Sequence, residues 1–93
     1  MLRVVLNPSG QADLARLPAD DRNDTIAALR KIPAAFGRPH AHSGIGLRQL
    51  RPGIFEARVG LALRAVFIRE ADLLLVDMIG SHDDVRAYLK RNR

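Results

Sequence analysis

Cysteine is absent from this chain of 93 residues. That absence excludes disulfides, thiolate nucleophiles and thiol-ligated zinc or iron–sulfur centres, and it accords with a reducing compartment. No apolar run approaches the ~18–20 residues that a membrane span needs. The N-terminal stretch Met1–Leu6 halts at Asn7-Pro8, too early for the core of a signal peptide; a cytoplasmic protein is the expectation. Hydroxyls are sparse: Ser9, Thr25 and Ser43 suggest no nucleophilic triad, and Ser81 reads as a helix cap. Metal ligands are as few. His40 and His42 share a loop, His82 lies far away and no third ligand is in sight, so neither a metal nor another cofactor is expected. Gly44-Ile45-Gly46 lacks the third glycine and the strand-to-helix setting of a phosphate-cradling loop. With no repeat, linker or low-complexity segment, one domain over residues 1–93 is expected.

Arginine is what the chain has in excess. It supplies 13 of the 15 basic residues, and the net charge is +5. Residues 1–37 carry a net +1 and residues 71–93 a net zero, so the surplus of +4 falls in residues 38–70. Guanidinium groups present a planar fork of donors that matches phosphate and stay charged at any relevant pH. A basic patch of this kind fits a polyanion partner as well as it fits a solubilising surface.

The hydropathy pattern predicts a strand over residues 2–7 and a short helix containing Leu14 and Leu17 that ends near Pro18. A second helix begins around Pro18–Asp20, buries Ile26, Leu29 and Ile32, and is kinked or ended by Pro33. Residues 37–46 form a loop by composition. Strands follow at Leu47–Leu50, Ile54–Val59, Leu63–Arg69 and Leu73–Ile79, the last apolar enough to lie buried on both faces. A capping box at Ser81 and Asp84 opens a last helix, His82–Arg91, which buries Val85 and Leu89. The order β-α-α-β-β-β-α is an α+β layer: N-terminal strand, helical hairpin, antiparallel meander and short C-terminal helix. The hairpin must cover one sheet face, which leaves the other to water, the last helix or a ligand.

Alternation along Ile54–Val59 puts Phe55, Ala57 and Val59 on the core face and Glu56 and Arg58 on the other. A three-residue loop at Gly60–Ala62 pairs Arg58 with Arg64 on that same face, whereas a register one residue different separates them. Two opposed arginines repel, a juxtaposition that a bridging anion relieves. An ordinary solvated face with a weak Glu–Arg ion pair is the plainer reading.

Three stretches together carry a resemblance: Leu47-Arg48-Gln49-Leu50-Arg51 running on to Ile54-Phe55-Glu56-Ala57-Arg58-Val59-Gly60; Arg64-Ala65-Val66-Phe67; and Gly80-Ser81-His82 with Tyr88 downstream. In order and spacing the chain resembles the RelE/ParE toxins of type II toxin–antitoxin systems over nearly its whole length. The resemblance implies a toxin neutralised by a cognate antitoxin, itself acidic and partly disordered. It further implies a metal-independent endoribonuclease that cleaves mRNA on the ribosome. In that role Arg64 and Arg58 would stabilise the phosphate, Glu56 would act as general base, and His82 or Tyr88 would act in proton transfer or stack on a base. Arg48 and Arg51 would hold flanking phosphates. The chain departs from some ribosome-dependent members in carrying Glu56 and Arg58 where those have lysines, and His82 where a basic residue is expected. The other branch of the family implies a non-catalytic poison of DNA gyrase, and a degenerate toxin retained as an antitoxin-binding module is a third reading.

Overall fold

In a computed structural model, residues 2–38 and 46–92 are described; His40, His42 and the Gly44-Ile45 pair lie outside them. The elements are β1 (Arg3–Leu6), α1 (Pro8–Arg16), α2 (Ala19–Ala35), β2 (Arg48–Arg51), β3 (Ile54–Val59), β4 (Leu63–Glu70), β5 (Leu73–Gly80) and α3 (His82–Arg91). One sheet of strand order β1-β5-β4-β3-β2 holds all five strands. The α+β class expected from sequence is the class found, with four strands after the helical hairpin where the order β-α-α-β-β-β-α has three. The sheet, however, is mixed, because β1 runs parallel to β5 while the remaining pairs are antiparallel. β1 thus runs in the same sense as β3 and β5 and opposite to β2, the strand that the chain enters after the two helices.

The helical hairpin covers one sheet face. Leu29 and Ile32 of α2 pack there with Ala57, Ala65, Phe67, Leu74 and Val76. All three phenylalanines meet at one place: Phe55 stacks on Phe67 across the strands at 5.7 Å, and Phe36 meets Phe55 edge-on at 4.8 Å. This cluster anchors the C-terminal end of α2, which runs on through Pro33 to Ala35 rather than ending at the proline. A proline inside a helix removes one hydrogen bond, by its missing N–H; here the burial of Ile32 and Ala35 on either side of it offsets that loss.

Where β1 stops at Leu6, α1 takes over the edge of β5. Ser9 Oγ lies 2.7 Å from the Asp77 carbonyl, and the Ile79 amide donates to Asp13 Oδ2 at 3.1 Å. Such closeness of helix to strand depends on Gly10, where a Cβ would lie 2.3 Å from the Val76 carbonyl oxygen. Gly10→Ala is therefore expected to destabilise the fold by about 1–3 kcal/mol, as overpacking does, despite alanine's better helix propensity of roughly 1 kcal/mol. Urea unfolding midpoints would show it, and a midpoint at or above that of the wild type would refute the close-approach account.

The opposite face carries a smaller core of Val66, Met78, Val85 and Tyr88, which α3 covers with help from Leu50, Ile54 and Leu89. The predicted capping box is complete: Ser81 Oγ accepts from the Asp84 amide at 3.1 Å, and Asp84 Oδ2 accepts from the Ser81 amide at 2.9 Å. Among the described residues, no helix is long and apolar enough to cross a membrane.

Candidate functional site

The β3–β4 hairpin has the register that brings the arginines together. Arg58 pairs with Arg64 and Val59 with Leu63, which leaves Gly60–Ala62 as the loop. Gly60 adopts φ +61°, a conformation glycine reaches without the Cβ penalty. Two cross-strand rows follow on the α3 face. In one, Arg48, Glu56, Val66 and Met78 sit side by side across β2 to β5; in the next, Arg58, Arg64 and Gly80 do so across β3 to β5. His82 begins α3 two residues beyond Gly80 and is exposed.

Glu56 is the centre of this cluster, and it is not on a solvated surface: the residue is 3 % exposed. Its Oε1 accepts from Arg48 Nε at 2.9 Å and lies 3.7 Å from Arg64 Nη1. Its Oε2 is buried and has no hydrogen-bond partner among the described residues. A buried carboxylate is tolerable beside two guanidinium groups, whereas an unmatched oxygen on it costs free energy until a donor arrives. Arg48 keeps most of its side chain in solvent and Arg64 keeps little, 63 % against 17 %. Arg58 is exposed. Three arginines, Arg48, Arg58 and Arg64, thus share one sheet face with a carboxylate whose second oxygen is buried.

Two sequence-predicted site residues are engaged elsewhere. Arg51 was expected to reach phosphate; instead its Nη1 donates to the carbonyls of Leu89 at 2.9 Å and Asn92 at 3.0 Å. It thus satisfies carbonyls that the end of α3 leaves open and complements the negative end of that helix. Tyr88 is buried in the smaller core, and its hydroxyl donates to Asp77 Oδ2 at 2.8 Å. Burial first, then the hydrogen bond and charge of Asp77, raise its pKa far above the ordinary phenol range. The phenol therefore keeps its proton and serves as the donor to Asp77.

Asp77 is the residue that sequence reasoning passed over. It falls at the irregularity in the β4–β5 ladder, between the Phe67–Val76 and Val66–Met78 pairs. Its carboxylate accepts from Asn7 Nδ2 at 2.5 Å and from Tyr88, so that α1, β5 and α3 meet on one side chain. A lone aspartate inside an otherwise apolar run, Leu73–Ile79, was the available signal. Burial acts to raise its pKa, but hydrogen bonds from Asn7, Tyr88 and Ser9 together outweigh it, so the net shift is downward from 3.8. The folded state thus binds this proton less readily than the unfolded chain does. The stabilisation is complete above about pH 3.8 and is lost as pH falls below that value through the folded pKa. Asp77→Asn is expected to flatten that acid limb of the stability curve, read by thermal melts from pH 6 downward, and an unchanged limb would refute the assignment. Tyr88→Phe is expected to lower stability by about 1.5 kcal/mol, the usual range for a hydrogen bond to a charged acceptor. An unaltered urea midpoint would show that the hydroxyl contributes nothing.

Among the described residues, no group of three or more His, Asp or Glu side chains is placed to hold a metal ion.

No family model matches the chain, and no curated protein matches it in sequence. Solved structures do match in fold. The archaeal RelE–RelB complex from Pyrococcus horikoshii superposes with TM-score 0.64 at 13% identity, over 86% of this chain and 93% of that one. YafQ from E. coli gives 0.60 at 13% identity, over 91% and 98%. The YoeB–YefM complex from Staphylococcus aureus gives 0.60 at 16% identity, over 88% and 98%. The fold expected from the sequence resemblance is the fold found: that of the RelE-like toxins.

Proposed function

We propose that this chain is the toxin of a toxin–antitoxin pair and that it cleaves messenger RNA on the ribosome without a metal. The observation that carries the reading is Glu56, a buried carboxylate with one oxygen set between arginines and the other without a partner. Cleavage of RNA by its own 2′-hydroxyl needs an acceptor for that proton, cations around a phosphorane-like transition state and a donor for the departing 5′-oxygen. In this reading Glu56 Oε2 takes the 2′-hydroxyl proton as the 2′-oxygen attacks phosphorus. The bond from phosphorus to the 5′-oxygen breaks, and His82, at the start of α3, supplies the proton that the 5′-oxygen gains. The products are a 2′,3′-cyclic phosphate and a 5′-hydroxyl. Arg64 and Arg58 flank the phosphate, and Arg48 holds Glu56 while its exposed end meets a neighbouring phosphate. Tyr88 and Arg51 act from behind, by fixing α3 to the sheet.

Two of the structures that share the fold are complexes, with RelB and with YefM; by that likeness a cognate antitoxin is the protein partner. A gyrase poison has no need of a carboxylate set among arginines, so the cluster supports the ribonuclease reading over that one. Primer extension on a messenger RNA tests it, with purified protein added to a cell-free translation reaction and, separately, to naked RNA. Cuts confined to the translating sample are expected. Intact messenger in both, with gyrase supercoiling inhibited, would replace this reading with the gyrase one.

A further inference from the structure

Gly46 stands two residues before Arg48, and Arg48 pairs with Glu56 in the antiparallel ladder of β2 with β3. The chain at Gly46 therefore runs past Arg58, two residues beyond Glu56, and it does so at very short range. A Cβ built on Gly46 would lie 2.6 Å from the Arg58 Cβ, 3.4 Å from its amide nitrogen and 3.6 Å from its Cα. Gly46 also adopts φ +62°, where an L side chain is strained. Glycine is thus required here twice, once by the backbone angle and once by the neighbour. The position is anchored on its C-terminal side: Leu47 is buried in the main core, and Arg48 is tied to Glu56 by a 2.9 Å hydrogen bond.

This contact completes the arginine row. Arg58 has Arg64 opposite it on β4 and the Gly46 backbone on its other flank. Two cations placed directly opposite repel, so the Arg58 side chain gains by swinging away from Arg64. The side to which it would swing is the side that the chain at Gly46 occupies. Side chains choose among a few staggered rotamers, and backbone in contact with a Cβ closes those directed at it. Gly80 ends the row beyond Arg64, but a Cβ there would meet Asp84 Oδ2 of α3 at 2.6 Å. Gly46 is the glycine of the row that is set against a cation.

We infer that Gly46 is a positioning residue for Arg58: by bringing bare backbone against the Arg58 Cβ, it holds that guanidinium beside Arg64, where the two together grip one phosphate of an RNA strand. The part given to RNA rests on the ribonuclease reading; the contact and the arginine pairing do not. The Arg58 Cβ is fixed to the β3 backbone, so it cannot yield as the end of a long side chain does. A Cβ at position 46 must therefore push β3 aside or lift the chain off Arg58, and either movement frees Arg58 to leave Arg64.

Four chains test this: wild type, Gly46→Ala, Arg58→Ala and the double variant, with Gly10→Ala as a control for lost stability. Cleavage of messenger in the cell-free translation reaction is read beside thermal melts. Gly46→Ala is expected to cut about tenfold to a hundredfold more slowly, the cost of a group displaced by about an ångström. In the Arg58→Ala background it should cost no further cleavage yet still lower the melting temperature, because alanine at position 58 keeps the Cβ that residue 46 meets. Gly10→Ala should cut like the wild type despite its lower melting temperature, since that glycine abuts Val76 and not the arginine row. Gly46→Asn tolerates a positive φ while bringing the same Cβ, and it takes the place of Gly46→Ala if that variant does not fold. A titration with inorganic phosphate, followed by NMR of the arginine Nε–H groups, needs no cleavage. Phosphate should shift Arg58 and Arg64 together in the wild type, and Arg64 alone in Gly46→Ala. Undiminished cleavage by Gly46→Ala, losses that multiply in the double variant, an equal loss in Gly10→Ala, an unaltered Arg58 shift in Gly46→Ala or no shift in the wild type would each overturn the proposal. A wild type that shifts both arginines with phosphate but cuts no messenger would fell the ribonuclease reading, and loss of the Arg58 shift in Gly46→Ala would still carry this one.

Discussion

Arg64→Ala is expected to lower messenger cleavage by roughly 10²–10³-fold, the loss that follows removal of one preorganised charge-stabilising donor from a transition state. Arg64 is the less exposed of the two arginines beside Glu56, and it faces Arg58 directly across the hairpin. Truncating it takes away a cation whose position is fixed by the sheet, whereas Arg48 continues to hold Oε1 of Glu56. Far-ultraviolet circular dichroism and thermal melts should therefore change little while the cuts disappear from the primer-extension ladder. Arg64→Lys should recover part of the activity, since a point charge replaces the charge but not the fork of donors. Full cleavage by Arg64→Ala would remove Arg64 from the reaction and with it the ordering of the site given above.

Glu56→Gln should reduce cleavage by roughly 10²–10⁴-fold, the range ascribed to a positioned general base. The amide keeps the size of the side chain and an oxygen for Arg48, but it cannot take a proton. The decisive comparison is with a substrate bearing a 2′-deoxy position at the cut, which binds but has no nucleophile. Binding of that substrate should be equal for Glu56→Gln and the wild type to within a few-fold, while turnover of the natural substrate falls. Should Glu56→Gln retain most of the cleavage, the carboxylate serves to position Arg64 and Arg48, and the proton acceptor lies elsewhere. Should it unfold, Glu56→Asp keeps the charge and draws the oxygen back, and a graded loss of rate would carry the same meaning.

Both expectations rest on a face that was partly legible in the sequence. Phe55, Ala57 and Val59 alternate with Glu56 and Arg58, and alternation dictates that one set enters the core while the other leaves it. The turn at Gly60 left two registers open, and the fold adopts the one whose three-residue loop pairs Arg58 with Arg64. The sequence could not say that Glu56 would be 3 % exposed rather than solvated. Its carboxylate meets Arg48 of β2 and Arg64 of β4, and no local pattern reports how side chains from three strands will share a surface.

Arg51 and Tyr88 show the same limit from the other side. Each is of a type that suits the chemistry, and each sits at the right place in the order of motifs. Arg51 nevertheless reaches carbonyls 38 and 41 residues further along the chain, and the Tyr88 hydroxyl reaches an aspartate 11 residues back. An arginine near a helix C-terminus and a phenol near a buried carboxylate find those partners because unpaired polar groups are costly once water is excluded. The partner becomes known only when the chain is folded.

The sequence by itself determined the α+β class, the inward and outward faces of β3 and the collection of arginine in the middle third of the chain, because each follows from periodicity, turn chemistry and charge within a few residues. Tertiary structure alone decided the parallel seat of β1 against β5, the register that pairs Arg58 with Arg64, the role of Asp77 as a junction and the engagement of Arg51 with the end of α3 and of Tyr88 with Asp77. Those outcomes join residues up to 70 positions apart. They are settled by which buried donor meets which buried acceptor, a choice that local sequence does not encode.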